Sequence, residues 1–255
     1  MLNNHINKIV AVIPSRFASV RLPGKPLVDL CGKPMVHHVY ERTIKSKLVN
    51  HVIVATDDER IEGVVKRFGG DVMMTPKDIQ SGSDRIAYVA NKLDDASIIV
   101  NVQGDEPLIE PEMIDQAIEP LLEKIKYNVS TLVKKISRAE ELINPNIVKV
   151  VLDTEMCGIY FSRSPIPHLR DFSEIKDWIL HHTFYKHIGL YVYRKEFLKL
   201  YVSWKESVLE KAEKLEQLRI IENGEKINVA ITEFDSLPVD TPEDAELVRQ
   251  ILQNK

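Results

Sequence analysis

Short runs of β-branched and apolar residues alternate along the chain with longer stretches of helical period. KIVAVIP precedes a helical pattern over residues 34–47, HVIVATD another over 59–69, GDVMMT a third over 83–93, and SIIVNVQGD closes the series. This alternation predicts an α/β fold of Rossmann-like type, with βαβ units and a mainly parallel central sheet flanked by helices. Runs such as IIVNV read as nearly continuous apolar stretches, as strands buried on both faces require. From about residue 131 to 193 the pattern turns to strands and long loops, with VSTLVKKI, NIVKVVLD, CGIYFS and HIGLYVYR as candidate strands. That segment reads as a strand-rich insertion able to carry a second substrate. Residues 206–222 read as helix and KINVAITEF as a strand. TPEDAELVRQILQ reads as the closing helix, with Thr241 as its cap and Pro242 at its first position.

In an open sheet of this kind ligands bind beyond the carboxyl ends of the strands. Loop 14–26, the Asp57–Asp58 pair and residues 103–107 all fall there. The chain of 255 residues, 44 % apolar and 28 % charged, is expected to form one domain spanning 1–255. Its formal net charge of -4 offers no general attraction to nucleic acid, so any anion site must be local. Apolar runs fall far short of the ~20 residues that span a bilayer. The opening MLNNHIN lacks the apolar core of a signal peptide. Cys31 and Cys157 have neither disulfide-framework nor zinc spacing. These features predict a soluble, cytoplasmic protein with no nucleic-acid or membrane partner.

The densest chemistry lies in AVIPSRFASVRLPGKPL. Arg16, Arg21 and Lys25 place three cationic donors in the loop after the first strand, and Gly24 admits close backbone approach. Arginine forks and a lysine point charge suit a polyphosphate; the plainer alternative is a solvated basic turn. No Gly-x4-Gly-Lys-Ser/Thr and no Gly-x-Gly-x-x-Gly occurs there. In IIVNVQGDEPLI a strand ends at Gln103, and Asp105 and Glu106 project toward the same rim. A carboxylate facing a polyphosphate calls for a divalent cation between them. Mg²⁺, which takes few carboxylates plus phosphate oxygens and water, suits Asp105; a polar turn at the strand end is the alternative. In LPVDTPEDAEL, Asp240 either supports the helix start or, if its strand runs beside the others, supplies a second metal-binding carboxylate. DIQSGSDRIAYVA offers Gln80, Ser81 and Gly82 before a helix whose first turn holds Asp84 and Arg85. Capping explains Ser81 and Asp84. Arg85 needs an anion or a partner carboxylate to sit in a first turn. In the insertion, His181, His182 and His187 lack the spacing of a zinc site. Arg163, His187 and Tyr191 better suit a polyhydroxylated, anionic substrate.

Taken in order, IPSRFASVRLPGKPL, GKPM, VATDD, QSGSDR, IVNVQGDEP, NPNIVKVVLD, YFSRSPIP, HIGLYVYR, LEQLR and VDTPED closely resemble the 3-deoxy-manno-octulosonate cytidylyltransferase (CMP-Kdo synthetase) family nearly end to end. The resemblance implies a nucleotide-diphospho-sugar transferase fold. It also implies transfer of CMP from CTP to the sugar acid Kdo with release of pyrophosphate, a Mg²⁺ cofactor, a role in lipopolysaccharide biosynthesis, and a homodimer formed partly by the insertion. Carried over, Arg16 and Lys25 hold the triphosphate together with Ser81, Gly82 and Arg85. Arg21 acts near the reacting phosphate, and Asp105 and Asp240 hold Mg²⁺. Gln103, Arg163, His187, Tyr191, Glu216 and Gln217 line the sugar pocket. One segment departs from the pattern: SGSDR stands where the family commonly has SGTER. The shorter Asp84 raises the prospect of an 8-amino analogue of Kdo as the substrate, whose ammonium it would meet. Sialic acid as the acceptor is a third reading, and a catalytically silent nucleotide-binding scaffold a fourth.

Overall fold

A computed structural model describes residues 8–18, 21–79 and 81–254; Gln80 lies outside them. Its strands are β1 (Lys8–Ser15), β2 (Asp29–Leu30), β3 (Lys33–Pro34), β4 (His51–Thr56), β5 (Asp71–Met74), β6 (Ala96–Asn101), β7 (Val129–Lys135), β8 (Lys149–Leu152), β9 (Gly158–Ser162), β10 (Tyr185–Arg194) and β11 (Ile227–Ile231). Its α-helices are α1 (Met35–Thr43), α2 (Glu59–Arg67), α3 (Gly82–Ala90), α4 (Pro111–Glu123), α5 (Ala139–Ile143), α6 (Trp178–His181), α7 (Lys195–Ser203), α8 (Val208–Glu213), α9 (Leu218–Glu222) and α10 (Pro242–Gln253).

The main sheet runs β11-β7-β10-β6-β1-β4-β5. β4, β5 and β6 run parallel to β1, and β11 runs parallel to β7. β10 is antiparallel to both β6 and β7, so β7 and β11 point the same way as β1 and all of their carboxyl ends share one rim. From β1 the chain builds outward to β4 and β5, then returns to lay β6 on the other side. The rim between β1 and β6 is thus the switch point at which open α/β sheets bind ligands.

Side chains alternate across the strands and fill two cores. Ile9, Ala11 and Ile13 of β1 meet α1, α2 and α4 on one face through Val36, Ile61 and Ile114. Val10 and Val12 meet α3, α7 and α9 on the other through Ile86, Leu198 and Ile220. Each such fully buried aliphatic side chain contributes roughly 1.5–3 kcal/mol. α10 covers β2 through Val248 and Leu30.

Several elements differ from expectation for identifiable reasons. Asp115 of α4 accepts from Ser46 Oγ at 2.6 Å and from the backbone nitrogens of Lys47 and Leu48 at 3.1 Å, which draws residues 46–48 out of the helix expected to reach 47. The helix expected over 206–222 is two helices, broken at Lys214, whose φ of 54° is left-handed. β7 and β10, expected inside an insertion at 131–193, are strands of the central sheet. The excursion between them, 136–184, carries α5, β8, β9 and α6, and it stays joined to the sheet through β8, which pairs antiparallel with β10 and with β9. That excursion has its own small core of Ile136, Leu142, Trp178 and Phe184.

Candidate active site

β1 delivers the basic loop to the rim and β6 delivers Gly104 and Asp105 opposite it. Gly104 is required by contact: a Cβ there would stand 2.6 Å from the Pro14 carbonyl oxygen and 3.1 Å from Ser15 Oγ. The absent side chain therefore lets the two strand ends close on each other. Asp240 arrives from the loop after β11, whose Val239 nitrogen donates to the Asp105 carbonyl at 2.9 Å. The capping box of Thr241 and Asp244 starts α10 directly behind it.

These three segments meet at Lys25. Its Nζ donates to Asp105 Oδ2 at 2.6 Å and to Asp240 Oδ1 at 2.8 Å. Burial works against its charge, but the two carboxylates more than offset that and hold its pKa above the ordinary lysine value. Arg21 reaches Asp240 Oδ2 at 2.9 Å. Around them lies a cavity of about 360 Å³ walled by Arg16, Arg21, Lys25, Gln103, Asp105 and Asp240, with Gly82 at its edge. Glu106 turns away from it into the protein. Burial pushes its carboxyl up to about 7 against the Ser236 hydroxyl, which donates at 2.5 Å, and nearby Lys25.

Gln103 and Gly82 also line a second cavity, of about 280 Å³, together with Ser83, Asn101, His187, Tyr191, Glu216 and Gln217. Its walls hold unspent polar capacity. Tyr191 Oη, Gln217 Nε2 and Asn101 Oδ1 are buried without a hydrogen-bond partner among the described residues, an arrangement that costs free energy unless a ligand or water satisfies it. Tyr191 stacks on Tyr193 and Tyr193 on Tyr201, each at 5.9 Å between ring centroids. Burial pushes the His187 imidazole down to about 3. The Thr131 hydroxyl donates best to the Leu190 carbonyl at 2.8 Å. It therefore accepts from His187 Nε2 at 3.0 Å, which assigns the ring proton to Nε2 and leaves Nδ1 an acceptor. Glu216 accepts from Ser83 Oγ at 2.6 Å, and Gln103 donates to the Gly189 carbonyl at 3.2 Å.

The expected residues thus gather into two adjoining compartments, with four departures, Arg85, Arg163, Asp84 and Ser81. Arg85 is fully buried and donates to Asp57 at 2.8 Å and to Thr75, so its guanidinium braces the protein instead of facing the nucleotide. Of the two partners that would explain a cation in that first turn, the carboxylate is present. Arg163 donates to the carbonyls of Glu213 at 2.8 Å and Pro145 at 3.0 Å and lies off the wall of the second cavity. Asp84 accepts from Ser81 Oγ at 2.7 Å as part of the cap of α3. It too lies off that wall, which removes the physical motive for an ammonium-bearing acceptor. Ser81, expected at the triphosphate, instead caps the same helix through the Asp84 nitrogen and lines neither cavity. Sequence reasoning missed Asn101. The signal was its place as the one amide inside an apolar strand.

Residues 10–227 match the cytidylyltransferase family. The chain belongs to that family. Within it, the chain is 52 % identical over 250 residues to the 3-deoxy-manno-octulosonate cytidylyltransferase of Geotalea uraniireducens, covering 96 % of this chain and 99 % of the relative. It is 53 % identical to that of Geobacter metallireducens, covering 94 % and 96 %. A solved structure of CMP:2-keto-3-deoxy-manno-octonic acid synthetase complexed with CTP superposes with a TM-score of 0.91 at 42 % identity, covering 97 % of this chain and 99 % of the other. Cytidylyltransferase chemistry requires a polyphosphate site beside an acceptor site.

Proposed function

We infer that this chain transfers CMP from CTP to 3-deoxy-manno-octulosonate, giving CMP-Kdo and pyrophosphate for lipopolysaccharide biosynthesis. The observation that carries the reading is the joining of the two cavities at Gly82 and Gln103. One cavity is cationic and sized for a triphosphate; the other is lined with buried polar atoms awaiting hydroxyl partners. The near-full-length identity to relatives of that name supports Kdo as the acceptor.

In this reading Arg16, Arg21 and Lys25 grip the triphosphate, and the tyrosine and amide side chains orient the sugar so that one hydroxyl faces the α-phosphorus. A bond forms from that oxygen to phosphorus, the bond to the pyrophosphate oxygen breaks, and the hydroxyl proton leaves to water. Alignment and neutralisation of the departing charge supply the acceleration.

Asp105 and Asp240 are a fit pair for Mg²⁺, since a cation already lies between them in the form of the Lys25 ammonium. Among the described residues no cluster of three metal-ligating side chains occurs, which suits an ion completed by phosphate oxygens and water. When bound, Mg²⁺ supplies charge neutralisation at the phosphates and lowers the pKa of a coordinated hydroxyl.

We also read the protein as a homodimer through the excursion 136–184, supported by Ile143, Ile159 and Leu180, which are 54 %, 53 % and 75 % exposed; light scattering reads its mass. No helix among the described residues is long and apolar enough to cross a membrane, and Cys31 and Cys157 are both free. These features support a cytoplasmic setting. The deciding experiment for the function is pyrophosphate release from CTP and Mg²⁺ with Kdo, 8-amino-Kdo and sialic acid supplied separately. Release with Kdo is expected; silence with Kdo beside release with another sugar refutes the acceptor.

A further inference from the structure

The basic loop has a closed base. Gly24 donates its N–H to the Phe17 carbonyl at 3.2 Å, and a Cβ on Gly24 would stand 3.1 Å from two carbons of the Phe17 ring. Phe17 also packs on the apolar core beside β1. The chain neighbours of these two residues, Arg16 before Phe17 and Lys25 after Gly24, both line the nucleotide cavity. Whatever holds the Phe17 ring therefore holds the feet of both cations.

What holds it comes from outside the cavity. The guanidinium carbon of Arg60 lies 3.3 Å from the centroid of the Phe17 ring. Asp58 fixes that guanidinium with two bonds, from Nε to Oδ1 at 2.9 Å and from Nη2 to Oδ2 at 2.7 Å. Asp58 Oδ1 also accepts the Arg60 backbone N–H at 2.9 Å as the cap of α2. A cation in the first turn of a helix opposes the dipole there. Bidentate pairing to the cap residue and stacking on a ring give this arginine a reason to occupy the position. The two aspartates after β4 consequently divide their work. Asp57 holds Arg85 under the start of α3, and Asp58 holds Arg60 over the phosphate loop.

We propose that Asp58 and Arg60 are positioning residues for the phosphate-binding loop: Asp58 orients Arg60, Arg60 clamps Phe17, and the clamp presets Arg16 and Lys25 for the triphosphate. The inference rests on the reading that CTP binds in this cavity, and its test separates the two. Arg60 is a fair probe because its side chain is 61 % exposed, so its removal leaves the core intact. CTP binding with Mg²⁺ is measured by calorimetry for the parent, Arg60→Ala, Arg60→Lys, Phe17→Ala and the Arg60→Ala/Phe17→Ala double variant, with melting temperatures alongside.

Arg60→Ala is expected to weaken CTP binding roughly five- to tenfold and to raise the KM for CTP similarly, while the KM for Kdo and the melting temperature hardly move. Arg60→Lys, which lacks the planar fork, recovers less than half of the loss. Because both residues act through one contact, the double variant binds within about twofold of Phe17→Ala alone. CTP affinity in Arg60→Ala within about twofold of the parent, or losses that simply multiply in the double variant, would overturn the proposal. A parent that binds CTP yet releases no pyrophosphate with Kdo refutes the acceptor while CTP affinity still decides the clamp. A parent that does not bind CTP overturns both.

Discussion

Tyr191 and His187 stand side by side on the wall of the second cavity, and burial acts on them in opposite ways. The Tyr191 hydroxyl has no hydrogen-bond partner among the described residues, so it carries a desolvation cost that a ligand bonding it would repay. Tyr191→Phe is therefore expected to leave the melting temperature unchanged or slightly higher. It should also raise the KM for the sugar about three- to tenfold, the worth of one neutral hydrogen bond. Steady-state kinetics and thermal unfolding on one preparation read both signs, and a lowered stability with unchanged KM would refute the assignment. His187 is neutral in the fold because burial pushes it down to about 3, against ~6.5 in an unfolded chain. As pH falls below about 6.5 the unfolded state takes up a proton that the native state refuses, so this stability is lost progressively as pH falls toward 3. Urea denaturation should show a share of roughly 2 kcal/mol lost between about pH 7 and pH 5 that His187→Asn does not lose. At this scale the sequence disclosed which charges and carboxylates exist at strand ends. It did not disclose which of them a nearer partner would claim. Arg85 went to Asp57, Arg163 to two carbonyls and Asp84 to Ser81, each over a distance that only the fold sets.

Among the elements, the parallel core of β1, β4 and β6 was legible because strands buried on both faces must be apolar throughout, while β5 at the sheet edge, with no buried residue, was marked by its place in the alternation. α4 was not read, although Pro111 opens it and Met113, Ile114, Ala117, Ile118 and Leu121 keep helical spacing; Pro120 in its last turns obscures the pattern. The reversed direction of β10 leaves no local trace, since a strand buried on both faces is equally apolar in either sense. The break between α8 and α9 is the most instructive miss. Residues 206–222 contain no glycine or proline, yet Lys214 takes φ 54° and ψ 48°, a conformation that costs a non-glycine residue roughly 1–2 kcal/mol. The turn brings Leu215, Glu216 and Gln217 onto the wall of the second cavity. Lys214→Gly removes the steric cost and adds chain entropy to the unfolded state, so a net gain of a few tenths to about 1 kcal/mol is expected. Equilibrium unfolding checks it; a clear loss would mean that the Lys214 side chain itself holds the turn.

Across the whole molecule, the nucleotide compartment draws on chain segments far apart in sequence. Lys25 follows β1, Asp105 follows β6 and Asp240 follows β11. In the free chain the ammonium of Lys25 bridges the two carboxylates, so the same lysine cannot serve them and a triphosphate equally well. A divalent cation between Asp105 and Asp240 would release Lys25 to the phosphates, which makes metal and nucleotide mutually dependent ligands. CTP with Mg²⁺ at about 100 times its Kd stabilises the native state by ~2.7 kcal/mol. For a chain of this size that is a rise of several degrees in melting temperature. CTP with a chelator, or Mg²⁺ alone, is expected to give a small fraction of that rise. Asp240→Asn should abolish the excess that the two ligands give together, while leaving the carboxylate of Asp105 for Lys25 to hold. Scanning calorimetry on the parent and on Asp240→Asn measures this excess directly. Equal shifts with and without Mg²⁺ would place the metal elsewhere and return Lys25 to a purely structural bridge across the rim.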